Sequence, residues 1–262
     1  GMLETLSVAV GLALSLYLVV ESVRGHWMYR RLKADLAAGV PGARLRFYRQ
    51  SLLFEVVSGA LALLSLLTNP SAATPDGLAD LEVARGFAAL PTSSPGFWAG
   101  LLTVLSAVSL ATWLVARRRR AAPASPRPRV LGWLLPDFSA MLPETGAEAA
   151  VFAVVALGAG VCEEIVFRGW LAPFLAHTLA LRGMPLLLVA AAAFGLAHAY
   201  QGPVGVLATG YLGFFFLALT AATGSLVFPI VLHTLLDLRW ALPRGRPLPA
   251  LPLPSPAASR MT

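Results

Sequence analysis

Charge is scarce in this chain. Only 13% of its 262 residues are Asp, Glu, Lys or Arg, about half the share of a soluble globular domain, which excludes an ordinary water-exposed surface. Cysteine is nearly absent: Cys162 stands alone, so no intrachain disulfide can form. Lysine is nearly absent too. Lys33 is the one lysine among twenty basic residues, and with abundant Ala, Pro and Gly this composition points to a high-GC bacterial genome. The first residues carry neither a basic n-region nor a clear cleavage site, so the first apolar stretch reads as a retained helix rather than a signal peptide.

What fills the space is apolar. Hydrophobic residues make up 57% of the chain and the mean hydropathy is +0.73. Several windows reach the 18 or more apolar residues of a membrane helix. The expected fold is all-α: a polytopic integral membrane bundle of about seven transmembrane helices. The net charge of +7 does not indicate nucleic acid, because the arginines flank the apolar spans, where the positive-inside rule places them.

Three spans are expected in an N-terminal region, residues 1–146: Leu3 to Val23, Ser51 to Leu67 and Phe97 to Ala116. Between the first two, Arg24 to Gln50 holds seven basic residues and one acid, Asp35. Its pattern predicts an interfacial helix broken at Gly39-Val40-Pro41-Gly42. Thr68 to Gly96 is a net acidic loop. Arg117 to Arg120 is an unbroken tetra-arginine within a Pro-rich linker, read as a stop-transfer anchor that also suits anionic lipid. Val130 to Met141 is too short to span and is placed at the interface. A core of four spans follows over 147–242: Ala147 to about Leu175, with Pro173 kinking or ending it, then Pro185 to Tyr200, Pro203 to Ala222 and Ser225 to Leu242. In the third of these, Gly205, Gly210 and Gly213 permit close helix packing. Residues 243–262 read as a Pro-rich disordered tail. The arginine bias puts both basic loops and the tail in the cytoplasm and the N-terminus outside, in a bacterial inner membrane. Residue counting then leaves Glu163 and His198 at different depths unless helices tilt or boundaries move by about a turn.

The stretch that departs most from this background is Glu163-Glu164-Ile165-Val166-Phe167-Arg168. An ionised side chain at the centre of a membrane helix costs about 3 kcal/mol on insertion scales. Three of them unpaired would cost on the order of 9 kcal/mol, comparable to the whole net stability of a domain. Successive helical residues are about 100° apart, so the two acids face different ways. Glu164 and Arg168 stand at the i,i+4 spacing of a helical ion pair, acid first. Glu163 is left to face a cavity, where a partly desolvated carboxylate suits general-base work on water. His198 lies four residues after Phe194. His233 and Asp237 share a helix face, so Asp237 can fix the tautomer of His233 or join it on a metal. Three such groups, in order on three otherwise apolar helices, read as an active site. Two histidines with one or two carboxylates also form a zinc donor set.

The pattern Glu163-Glu164-xxx-Arg168, Phe194-xxx-His198, His233-xxx-Asp237 resembles the CPBP intramembrane proteases, also called the ABI or CAAX-protease family. That group includes type II CAAX prenyl endopeptidases and bacteriocin-processing or immunity proteins. The resemblance covers roughly Ala147 to Leu242. It implies that Glu163 and His198 activate water and that His233 and Asp237 stabilise the oxyanion or help hold a metal. It leaves two mechanisms open: zinc or another divalent metal on Glu163, His198 and His233, or metal-free, glutamate-activated water. The family more often has Asn where this chain has Asp237, and an ionised carboxylate cannot donate a hydrogen bond as an amide does.

The resulting expectation is an intramembrane endopeptidase acting on a membrane-anchored or lipidated protein or peptide, surrounded by lipid bilayer and with no nucleic-acid partner. Nothing in the sequence fixes an oligomeric state. Two rivals remain: a non-catalytic adaptor or immunity protein of the same fold, and a small transporter, since intramembrane charges also mark ion pathways. The complete Glu163, His198 and His233 set argues against the first. The lack of an internal repeat argues against the second.

Overall fold

A computed structural model describes residues 2–68, 96 and 138–241. These are helical, with no strand among them. The chain runs through α1 (Met2–Ala37), α2 (Ala43–Thr68), a 3₁₀ turn (Ser139–Met141), α3 (Gly146–Glu164), a π-helical segment (Ile165–Leu171), α4 (Ala172–Thr178), α5 (Gly183–Ala197), a second 3₁₀ turn (Ala199–Gln201), α6 (Pro203–Thr223) and α7 (Val227–Leu238). The span expected at Phe97 to Ala116, the tetra-arginine run and the tail from Pro243 lie outside the described residues. So does nearly all of the polar loop between Thr68 and Gly96.

Among the described residues, four helical stretches are long and apolar enough to cross a membrane: Val8–Ala37, Ala43–Leu67, Gly146–Thr178 and Pro203–Thr223. α5 and α7 are apolar but short. The long helices turn exposed apolar side chains outward, among them Leu16, Val19, Leu53 and Leu207. On a chain of this composition such faces belong against lipid. The class defined so far is an integral membrane helical protein.

The first span and the basic helix after it prove to be one continuous rod. Nothing between Val23 and Trp27 can stop a helix except the single Gly25, and Arg24 continues the turn by pairing with Glu21 at 2.8 Å. The break comes at Gly39, with φ +68°. Val40 N–H reaches back to Asp35 O at 2.9 Å and Gly39 N–H to Leu36 O at 3.1 Å. This is the Schellman closure, which needs a left-handed residue at that position. α2 then starts at Ala43, well before Ser51. Its Arg44 is buried and donates to Ala140 O at 2.9 Å and to Glu144 at 2.8 Å. This ties the start of α2 to the approach to α3, whose first turn is closed by reciprocal Thr145–Glu148 capping bonds.

Pro173 does not end the helical stretch, which continues to Thr178. It is preceded instead by the π-helical segment, and Ala172 N–H bonds to Phe167 O, five residues back. A proline lacks the N–H of the usual bond and its ring crowds the carbonyl four residues earlier. Widening the turn to five residues removes the crowding. α5 and α6 pack backbone to backbone. A Cβ on Gly195 would lie 2.6 Å from Val206 O, and one on Gly213 would lie 3.1 Å from Phe194 Cβ, so these glycines set the approach.

The structure brings the two residues together: His198, the C-cap of α5, has its Nε2 3.8 Å from Glu163 Oε2. At 1.5 Å per residue, the 15 residues of α5 extend about 22 Å and the 12 of α7 about 18 Å. Both are shorter than a hydrocarbon core of about 30 Å.

Candidate active site

α1, α2, α3, α5, α6 and α7 enclose a cavity of about 340 Å³, lined mainly by apolar side chains. The polar exceptions include Glu163, His198, His233 and Asp237, so the structure brings together the residues singled out on three separate helices.

Behind the cavity wall lies a sealed ionic core. Glu164 has no exposed surface and Arg168 is 2% exposed. Arg168 Nη1 donates to Glu164 Oε1 at 2.9 Å, the i,i+4 pair expected from their spacing. The same oxygen accepts from His233 Nδ1 at 2.7 Å. The guanidinium lies 4.2 Å from the Phe194 ring centroid and 5.3 Å from that of Phe216, and its Nη2 points to Gly213 O. A buried cation sandwiched by aromatic faces and bonded to a carboxylate holds its geometry far better than an exposed pair.

His233 is the link between this core and the cavity. With Nδ1 committed to Glu164, its Nε2 stands 3.9 Å from Glu163 Oε2 and 3.5 Å from Asp237 Oδ2. Phe216 stacks on the ring and Phe194 meets it edge-on. The group that orients His233 is thus Glu164, not Asp237 as the shared helix face had indicated. Glu164 reaches the ring at hydrogen-bond distance from another helix, while Asp237 stays beyond it.

His198 is oriented by its own helix. Its Nδ1 lies 2.8 Å from Phe194 O, and a carbonyl can only accept, so Nδ1 carries the hydrogen. Nε2 then faces Glu163 Oε2 at 3.8 Å. Glu163 Oε2 is buried and has no hydrogen-bond partner among the described residues. Two imidazoles and one orphaned carboxylate oxygen therefore surround a single small volume.

The donor types there suit zinc, yet among the described residues no three His, Cys, Asp or Glu side chains converge closely enough to hold a metal ion. Glu163 Oε2 is 3.8 and 3.9 Å from the two imidazole nitrogens. The edge of a zinc tetrahedron with bonds near 2.0–2.1 Å is about 3.4 Å. A water molecule bonded at about 2.8 Å to each can span the larger gap.

Among the other polar groups that line the cavity are Glu55 and Tyr200, which the sequence pattern does not single out. Glu55 of α2 is 5% exposed, and its Oε2 is buried with no hydrogen-bond partner among the described residues. It lies against Gly158, where a Cβ would come within 2.5 Å of that oxygen. Its signal was a carboxylate inside an apolar span. Tyr200 follows His198 by two residues on the 3₁₀ turn, its ring centroid 6.0 Å from the imidazole. It had been read only as the end of a span. Cys162 is a free thiol packed against Gly59.

The helical membrane class narrows at this point. Residues 145–239, which contain all three motifs, match the family model described as Rce1-like, type II CAAX prenyl endopeptidase Rce1-like. Through this segment the chain is similar to the CAAX protease, or CPBP, family. No curated protein and no solved structure matches the chain.

Proposed function

We propose that this protein is an intramembrane endopeptidase that hydrolyses a peptide bond of a membrane-anchored or lipidated protein or peptide. The observation that carries the reading is the orphaned, buried Glu163 Oε2 facing His198 Nε2 and His233 Nε2 across gaps of 3.8 and 3.9 Å. That gap fits a water molecule, and a carboxylate and imidazoles around one water are a general-base arrangement. The family match to CAAX endopeptidases supports the same reaction class.

In this mechanism a water sits between Glu163 and the two histidines. Glu163 takes one of its protons as the water oxygen bonds to the scissile carbonyl carbon. The carbonyl π electrons move onto oxygen, giving a tetrahedral oxyanion. As it collapses, the C–N bond breaks and the proton held by Glu163 passes to the leaving nitrogen. The products are a carboxylic acid and an amine. His198 positions the water through Nε2. His233, held by Glu164, fixes the opposite side. A divalent metal bound here would supply Lewis-acid polarisation of the carbonyl; the steps above use only the chain's own groups. The apolar lining and the enclosure by spanning helices support a substrate presented from lipid, and the arginine-rich flanks support a bacterial inner membrane with the basic loops in the cytoplasm.

The test is cleavage in proteoliposomes. Membrane-anchored peptides of varied sequence are incubated with wild type, Glu163→Gln and His198→Ala, and products are read by mass spectrometry. The reading expects new termini with wild type alone. Products formed equally by Glu163→Gln would overturn it, and intact peptides with wild type would favour a binding protein of this fold.

A further inference from the structure

Hydrolysis as drawn above creates an oxyanion, and a water-poor cavity must offer it a hydrogen-bond donor. Carboxylates can only accept, which removes Glu55, Glu163 and Asp237 in their ionised form. His198 Nδ1 is spent on Phe194 O. His233 Nδ1 is spent on Glu164, so its Nε2 donates only when the ring carries both protons. Arg168 is sealed behind Glu164 and does not line the cavity.

The remaining donors on its wall are N–H groups of Gln50, Gln201, Arg239 and Trp240 and five hydroxyls. Those of Ser22, Ser51 and Thr209 donate to carbonyls of their own helices, and Tyr48 donates to Met141 O. A carbonyl only accepts, so these four hydrogens are committed. The fifth belongs to Tyr200. Its oxygen accepts from Gln201 Nε2 at 3.2 Å, and its own hydrogen has no acceptor among the described residues. A hydroxyl that accepts one bond becomes a stronger donor for the next, so Gln201 primes the phenol.

We propose that Tyr200 is a further catalytic residue: its phenolic O–H donates to the oxyanion, with Gln201 as the residue that positions and polarises it. This rests on the peptidase reading above. The ring is held independently of that bond, packed 5.6 Å from the Tyr29 centroid and 6.0 Å from His198. Removing the oxygen alone therefore leaves the packing in place.

The experiment uses the full chain in proteoliposomes with a peptide that wild type cleaves. Tyr200→Phe should lower kcat by about 10²-fold, the usual loss for one oxyanion donor, with KM within about twofold and thermal stability unchanged. Gln201→Leu should lower kcat by about tenfold or less, since it weakens the donor without removing it. A phosphinic peptide, whose tetrahedral oxygen mimics the oxyanion, should lose affinity in proportion to kcat/KM across these variants. A Tyr200→Phe enzyme with wild-type kcat overturns the inference, as does a loss confined to KM. So does a kcat loss that appears in Arg239→Gln but not in Tyr200→Phe, because Arg239 also lines the cavity with a buried, unpartnered Nε. In those cases wild-type cleavage remains dependent on Glu163 and the peptidase reading stands. If Glu163→Gln cleaves as well as wild type, the peptidase reading fails and this inference fails with it.

Discussion

His233 Nδ1 and Arg168 Nη1 share one oxygen, Glu164 Oε1, at 2.7 and 2.9 Å. A single buried carboxylate thus holds both the cation of its own helix and the imidazole of α7. The neighbouring Glu163 leaves the same turn in another direction, its carboxylate at the cavity wall and its Oε2 without a hydrogen-bond partner among the described residues.

This division predicts that the two glutamates fail differently. Glu164→Gln strands a buried guanidinium and should lower stability by about 3–5 kcal/mol, losing activity as a consequence of unfolding. Glu163→Gln should abolish cleavage and leave the melting temperature close to wild type. Melting curves and peptide cleavage on both variants decide it; the reverse pattern would mean that the roles are exchanged.

Asp237 stands 3.5 Å from His233 Nε2, too far for a firm bond. In the water-based mechanism an amide there is tolerated and adds a donor that a carboxylate lacks. Asp237→Asn should therefore cleave within about tenfold of wild type, a barrier change of about 1.4 kcal/mol, and prolonged chelation should leave both rates unchanged. Loss on chelation, restored by zinc, would instead make Asp237 part of a metal site. A dead Asp237→Asn beside a chelator-insensitive wild type would contradict both roles.

Gly160 fixes the distance between α3 and α7. A Cβ there would overlap Thr234 Oγ1 and lie 2.9 Å from Thr234 N, next to His233. Gly160→Ala should cost about 1–3 kcal/mol and shift His233 off Glu163, lowering cleavage even below the melting temperature. Gly146→Ala, with nothing within 4 Å of the new carbon, is the matched control and should leave both readings unchanged.

Phe194 is packed by charge and ring on every side: Arg168 over its face, His198 at 4.8 Å and Phe167 edge-on at 4.9 Å between centroids. Phe194→Leu keeps an apolar core but removes the π face. About 2 kcal/mol of desolvated cation–π attraction should go with it, together with much of the activity, because both histidines lose their common wall. An unchanged melting point would show that the ring is mere filling.

Local relations were legible in the sequence, while relations made by tertiary packing were not. Glu164 with Arg168 follows from helical spacing, and the outward turn of Glu163 follows from the 100° step. His233 meeting Glu164 joins helices 69 positions apart in sequence, which no local period encodes. The Gly39 break was readable because glycine and proline punctuate it. The continuity of α1 across Arg24 was not, since a change from apolar to basic marks a solvent boundary rather than a helix end. Pro173 suggests a kink or an end because a proline disrupts the usual α-helical bond, and the wider π turn lets the helix continue past it. Tyr200 and Glu55 look ordinary in sequence. Their interest comes from bonds left unmade among the described residues, at Glu55 Oε2 and at the Tyr200 hydroxyl hydrogen.

The shortness of α5 and α7 bears on how a substrate is opened. A peptide crossing the bilayer as a helix has every carbonyl bonded within itself, so none is available for attack. Where two neighbouring helices end about 8–12 Å short of the hydrocarbon thickness, lipids relieve the mismatch by thinning locally. In the proposed peptidase, a substrate segment entering such a thinned region would meet a polar boundary earlier than elsewhere in the membrane, and its turns would unravel against water rather than oil. Short α5 and α7 would then act on the bilayer as much as on the protein, lowering the cost of exposing a bare peptide bond to Glu163.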